Sequence, residues 1–396
     1  MIVDLHSHYP IHLIPGEEAD TVRAMSRSRG ASRFGDRVRA FIVRLASRFA
    51  NYPSFDSGPR VTMEKLRAGD VGVALSVLYS PFDEIDLDEG YPSAPDDDYF
   101  PRLLRRLGDV EADIHDNHDD VATIAHNPAE IDQAVEAGKT ALVHCVEGGF
   151  HLGEDEEAVA RNTAELSRRG VAYITVAHLI WREVATNANA IPFLPQWLYD
   201  RLFPQPDVGL APLGRALVEA MVENGLLVDL SHMSRRALED TLALLDELDH
   251  AGRVPVIASH SAFRFGEQAY NLDEPTIVRI ARRGGVIGLI LAEHQIADGL
   301  ETGRRRKGRA THSLAASIEL LCRHIDRIRE ITGSYDHVAV SSDLDGFIKP
   351  TLAGLQDAEQ LGSLEPAFAE RHGAEAGEAI TSANALRVLR AGWGGT

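Results

Sequence analysis

Cysteine is nearly absent from these 396 residues: Cys145 and Cys322 are the only two, and no Cys-x-x-Cys pair occurs. That excludes a disulfide framework and a thiolate metal knuckle, and it makes a reducing compartment, the cytoplasm, the expected setting. Lysine is almost as scarce, with Lys65, Lys139, Lys307 and Lys349 the whole set, and 60 acidic residues outweigh 40 basic ones for a formal charge of −20. Such a chain lacks the basic footprint that phosphate backbones and anionic lipid surfaces require, so neither nucleic acid nor membrane is an expected partner. No window approaches 18 uncharged apolar residues, and the first residues carry no basic n-region or apolar h-region, so neither a spanning helix nor a secretory signal is expected. Gly-x-Ser-x-Gly is missing as well, and the pairs Gly148-Gly149 and Gly284-Gly285 complete no dinucleotide fingerprint.

What is present is the composition of a globular protein, 44% hydrophobic and 25% charged. Eight short apolar runs recur, at residues 2–5, 71–78, 140–146, 172–176, 226–230, 254–258, 285–291 and 338–341. They lack polar alternation, the pattern of parallel strands buried on both faces. Helical spacing fills most gaps, over 155–169, 212–224, 234–248, 274–283 and 313–331, with Gly225, Gly252, Gly284 and Gly333 placed as stops. Strand and helix alternating to a count of eight predict an α/β fold, a (β/α)8 TIM-type barrel, with a doubly wound open sheet as the alternative. Residues 10–65 and 80–100 are read as an insertion after the first strand that covers the barrel mouth, and 1–396 as a single domain. The basic run of Arg304, Arg305, Arg306, Lys307 and Arg309 is read as a solvated loop.

Seventeen histidines would say little if scattered, but several are placed. His6 and His8 form His-x-His after the first run, a spacing that puts both imidazoles on one face of an extended chain. Glu147 ends the third run, His178 the fourth, His232 the fifth, His260 the sixth and Asp343 the eighth. Six of eight strands therefore deliver a His, Glu or Asp to the C-terminal rim of the predicted barrel, where active sites of this architecture sit. His6, His8, Glu147, His232 and His260 are too many ligands for one four-coordinate zinc and suit two divalent metals bridged by Glu147. A metal pair holds a bridging hydroxide and polarises a carbonyl. Asp343 is then the natural proton carrier and His178 the donor to the developing oxyanion. Ser231 and Ser259 precede histidines without a nucleophile elbow, and Cys145 is read as a small core residue.

At this point the residues resemble the membrane (renal) dipeptidase family, peptidase family M19, of the amidohydrolase superfamily. The likeness runs from Val3 to about Arg390 and rests on Asp4-Leu-His6, Val146-Glu147-Gly-Gly, Ile174-Thr-Val-Ala-His178, Val228-Asp-Leu-Ser-His232, Pro255-Val-Ile-Ala-Ser-His260, Ser341-Ser-Asp343-Leu-Asp345-Gly and Ser382-Ala-Asn384. The resemblance implies a metal-dependent hydrolase of dipeptides carrying two zinc ions, usually a homodimer, with Glu147 bridging and His232 and His260 on the second metal. It further implies that His178 contacts the substrate carbonyl and that Asp343 is the catalytic aspartate. Two positions depart from the family's pattern. His8 stands where an aspartate is usual, and Tyr270 stands where an arginine grips the substrate carboxylate, with Arg264 read as a nearby substitute. Tyrosine carries no charge and makes no bidentate pair with a carboxylate. The departure opens the alternative of an amidohydrolase acting on a non-dipeptide amide, lactam, lactone or ester. A catalytically silent scaffold is the third reading, and the intact set of five ligands with Asp343 speaks against it.

Overall fold

Among the described residues nine strands form the sheet, and their sequences explain why it is parallel: nearly every residue in them is buried on both faces. The computed structural model describes residues 1–14, 37–39, 41–42, 45, 58–84, 91–92, 98–252, 254–300, 311–346 and 351–394. The strands are β1 (Ile2–Ser7), β2 (Val71–Leu78), β3 (Ala122–Ile124), β4 (Thr140–Glu147), β5 (Tyr173–Thr175), β6 (Leu227–Asp229), β7 (Val256–Ser261), β8 (Val286–Leu289) and β9 (Val338–Val340). Eight pair in parallel in the order β1-β2-β4-β5-β6-β7-β8-β9, with β3 off this path on β4. The path closes just beyond the ends of β1 and β9, where the Asp343 amide donates to the His6 carbonyl (2.8 Å) and the His8 amide to that of Leu344 (3.0 Å). The result is a nearly closed (β/α)8 barrel of the TIM type.

The eight predicted runs coincide with the eight barrel strands. The predicted helices appear as Glu156–Arg168, Pro212–Glu223, Arg235–Leu248, Glu274–Arg282 and Leu314–Thr332. Four of them start on a side chain that accepts an amide of the first turn: Asp155, Ser234, Asp273 and Ser313. Gly333 caps the last of the five with φ 82°, a left-handed conformation that costs glycine little.

Three features differ from the sequence reading. Residues 80–100 follow β2 and not β1: the short helix Pro81–Glu84 comes directly after it, and the long helix Tyr99–Asn117 begins at the segment's end. That helix buries Leu103, Leu107, Val110 and Ile114 in one stripe, a period that seven acidic and basic residues interleaved along it obscure. The short strand β3 is also unannounced, since three residues are too few for a period; it pairs with the first residues of β4, while β5 pairs with the last two. Most of 10–65 and the whole basic run 304–309 lie outside the described residues.

The strands pack closely enough that one glycine is obligatory. A Cβ on Gly288 of β8 would stand 2.0 Å from the Ser259 carbonyl oxygen and 2.7 Å from the Ser341 Cβ, against backbone that has nowhere to retreat. Gly288→Ala is therefore expected to destabilise the fold by about 1–3 kcal/mol, the range of overpacked cores. A urea titration that finds unchanged stability would show that β7 and β9 can spread at this level.

Candidate metal centre

Each strand that contributes to the centre does so at its C-terminal end, but not always by its last residue. His6 lies in β1, Glu147 ends β4 and His260 lies in β7. His178, His232 and Asp343 lie three residues past the last residues of β5, β6 and β9, in the turns that follow. His232 and Asp343 have φ of 65° and 50°, left-handed values that non-glycine residues rarely hold, so the backbone is bent to aim these side chains.

Glu147 is the hub. Its Oε1 lies 3.3 Å from Nε2 of His6, His178 and His260 and 3.5 Å from that of His232, and its Oε2 lies 3.5 Å from Nε2 of His8. Asp343 Oδ1 is 3.1 Å from His8 Nε2 and 3.8 Å from His6 Nε2. All seven side chains are buried. Burial alone would raise the Glu147 carboxyl, but the imidazoles of His178 and His6 and the bonds to His232 and His260 hold it well below the usual carboxylate range. Asp343 is likewise held below its ordinary value, against burial, by His8, His260 and His6. Gly346 leaves room for this carboxylate: a Cβ there would stand 2.0 Å from Asp343 Oδ1 and 2.8 Å from His8 Nε2.

The hydrogen bonds behind the histidines decide which nitrogen faces the centre. Tyr173 donates its hydroxyl proton to the Leu5 carbonyl (2.9 Å), so its oxygen accepts from His6 Nδ1 at 2.8 Å. Ser259 donates to Asp229 Oδ2 (2.6 Å), so its oxygen accepts from His260 Nδ1 at 2.8 Å. Asp229 also takes the Ser231 hydroxyl and the Ser231 and Ser259 amides on its other oxygen, and the Thr175 hydroxyl on Oδ2. With Nδ1 protonated, a neutral His6 presents the lone pair of Nε2 to Glu147, and burial, then His260, lowers its pKa to about 4.

That arrangement tests whether the site suits cations, and it does. His6 Nε2 is buried with no hydrogen-bond partner, aimed at a carboxylate oxygen, and His232 and His260 bring their Nε2 atoms within 2.8 Å of each other. Lone pairs converging on a carboxylate are repulsive unless positive charge sits between them. Candidate ligand atoms gather in three overlapping groups: His6 with Glu147 and His260, His6 with His8 and Asp343, and Glu147 with His178 and His232. Hard oxygen and borderline imidazole donors, with no thiolate, suit zinc and its divalent neighbours.

His178 is held from behind. Its Nδ1 lies 2.7 Å from Glu84 Oε2, and burial, which opposes its charge, is outweighed by Glu147 and Glu84, which lift its pKa to about 9. Tyr270 is buried and donates its hydroxyl to the His260 carbonyl at 2.8 Å. Arg264 turns Nε and Nη2 onto the carbonyls of Gln268, Ala269 and Asn271 in its own loop.

Sequence reasoning missed Glu84, Tyr79, Asp229, Ser259 and Tyr173 as parts of this centre. Asp229 and Ser259 lie inside motifs already noted, and their place beside His232 and His260 is the one signal the sequence offers of their role. Cys145 is a fully buried core residue, its thiol pushed up by burial.

Comparison with known proteins follows the same lines. The family profile described as membrane dipeptidase, peptidase family M19, matches residues 38–392. Dipeptidase tcpJ of Claviceps purpurea is 25% identical over 347 residues, which are 85% of this chain and 70% of that protein. An uncharacterized dipeptidase, C965.12 of Schizosaccharomyces pombe, is 31% identical over 256 residues, 64% of this chain and 53% of its own length. Among solved structures, a Rhodobacter sphaeroides metallo peptidase liganded with a phosphinate mimic of the dipeptide L-Ala-D-Ala superposes with TM-score 0.70 at 17% identity, covering 99% of both chains. The probable dipeptidase PvdM of Pseudomonas aeruginosa gives 0.63 at 20% identity, over 85% of this chain and 90% of its own. These two likenesses concern the fold, whereas the profile spans most of the sequence. The chain belongs to the membrane dipeptidase family, peptidase family M19, and is a metal-dependent hydrolase.

Proposed function

We propose that this hydrolase is a binuclear, zinc-dependent dipeptidase, with His6, His8 and Glu147 holding one cation and Glu147, His232 and His260 the other. The observation that carries the reading is the single buried oxygen Glu147 Oε1 with four imidazole nitrogens within 3.5 Å, drawn from β1, β7 and the turns after β5 and β6. Cations bound there would supply Lewis acidity at the scissile carbonyl and would make an attacking water more acidic. Asp343, kept ionised among His8, His260 and His6, accepts the proton that the attacking water gives up and returns it to the departing amine. His178 is hydrogen-bonded through Nδ1 to Glu84, which turns Nε2 inward, and the carboxylates of Glu147 and Glu84 favour its protonated form, so Nε2 is placed to donate to the carbonyl oxygen as negative charge grows there.

A second reading concerns the substrate. The Tyr270 hydroxyl and the Nε and Nη2 edge of Arg264 are both engaged by backbone carbonyls, which takes these donors away from a substrate carboxylate. This favours an amide, lactam, lactone or ester that lacks a free carboxylate at that end. A panel of dipeptides, L-Ala-D-Ala among them, run beside N-acyl amines, lactams and lactones with the zinc-loaded enzyme, separates the readings. Turnover of none of them would refute both.

The metal assignment predicts close to two equivalents of divalent metal per chain by plasma mass spectrometry. Glu147→Gln is expected to lose metal together with rate, because a neutral amide brings no negative charge and one donor oxygen in place of two; a fully metallated, active variant would sink the binuclear reading. Asp343→Asn should keep its metal while kcat falls by roughly 10²–10⁴, the usual worth of a placed proton carrier. Near-normal turnover would remove Asp343 from the proton path.

A further inference from the structure

Directly after β2 lies a carboxylate that the proposed chemistry does not use. Glu84 is completely buried, yet both of its oxygens are saturated. Oε1 accepts the amides of Leu179 (2.7 Å) and Ile180 (3.1 Å), while Oε2 accepts the Tyr79 hydroxyl (2.7 Å) and lies 2.7 Å from His178 Nδ1. Its neighbour Asp83 is fixed in turn, its carbonyl by Arg182 Nη2 at 2.9 Å and its carboxylate by Arg102 Nε at 2.9 Å. One side chain therefore spans two barrel loops: it tethers the backbone just past His178 and grips the ring itself.

We infer that Glu84 is the positioning residue for His178, fixing the plane of its ring and keeping a proton on Nδ1 so that Nε2 is the ring atom offered to the metal centre. The reasoning is one of donors and acceptors. A carboxylate has no proton to give, so an imidazole nitrogen 2.7 Å from it must be the donor. With Nδ1 committed, Nε2 alone points inward, 3.3 Å from Glu147 Oε1. The Tyr79 ring, with its centroid 4.6 Å from that of His178 and nearly perpendicular to it at 78°, closes off rotation. A carboxylate behind an imidazole is a recurrent way to fix its orientation and basicity. In this chain it acts on the histidine assigned to the carbonyl oxygen, so its catalytic consequence rests on the function proposed above, whereas its effect on the ring does not.

Glu84→Gln provides the test because it is nearly isosteric and inverts the chemistry at one atom. The amide oxygen can still accept from Leu179 and Ile180, but the amide nitrogen now donates towards His178 Nδ1 and demands an unprotonated nitrogen there. In zinc-loaded protein labelled with 15N-histidine, with His178 assigned from the spectrum of His178→Asn, the Nδ1 resonance is expected to move from the protonated to the unprotonated range. Metal content should stay at the wild-type value, and kcat on the best panel substrate should fall about 10-fold with KM little changed, because a neutral Nε2–H without the Glu84 charge behind it replaces a charged donor. Glu84→Gln added to His178→Asn should cost nothing further, since a residue acting through His178 has no effect once that ring is gone. An unmoved Nδ1 resonance, or losses that multiply in the double variant, would overturn the inference. Should Glu84→Gln fail to fold, Glu84→Asp keeps the charge one methylene short; it should lower kcat while leaving Nδ1 protonated, and unchanged kcat would overturn the inference equally. If the wild type turns over no panel substrate, the activity proposed above fails, and the resonance still decides what Glu84 does.

Discussion

One buried carboxylate sets the terms for everything around it. Glu147 ends a strand whose eight residues are all buried, where an isolated charge would cost several kcal/mol. The fold answers that cost by surrounding it with imidazoles from β1, β7 and the turns after β5 and β6. Two of those imidazoles are themselves oriented by hydroxyls, of Tyr173 for His6 and of Ser259 for His260. The hydroxyls have been turned by acceptors of their own, the Leu5 carbonyl and Asp229. The centre is thus a set of nested shells in which each layer removes one degree of freedom from the layer inside it.

Much of this was legible in the residues. Barrel strands buried on both faces leave uninterrupted apolar runs, and helix caps such as Asp155 and Ser313 leave their own marks, so the alternation could be counted. The histidines and carboxylates at the run ends could be named because a barrel gathers strand ends on one rim. What could not be read was how short β5, β6 and β9 are, and that His232 and Asp343 would be swung inward by left-handed backbone. Nothing in a histidine or aspartate announces a positive φ, whereas Gly333 did announce the end of its helix.

Partners supplied by distant elements were the other blind spot. Glu84 sits in an acidic, proline-containing stretch read as part of an insertion over the barrel mouth, and its burial becomes visible only when the loop after β2 lies against the loop after β5. Asp229 and Ser259 were in plain view beside His232 and His260, but their role needs β6 and β7 side by side. Arg264 is read from sequence as a nearby substitute for the missing carboxylate-binding arginine; in the fold its guanidinium also braces the turn that carries Tyr270, a role no spacing announces. The proximity of a charge in sequence says little about which carbonyl will capture it first.

The seam between β1 and β9 carries a consequence for how the molecule comes into being. His6 and His8 on one side of it and Asp343 on the other are separated by more than three hundred residues, yet their main chains are joined at the site by the pairs Asp343–His6 and His8–Leu344. Contacts so far apart in sequence pay the full entropy of loop closure and form late. During synthesis the first strand must wait, its imidazoles exposed, until the ninth strand has been made and folded. The candidate metal centre therefore stands at the part of the barrel that is joined last, and a partial chain that lacks the ninth strand lacks Asp343 and the main-chain pairs that hold His6 and His8 in place.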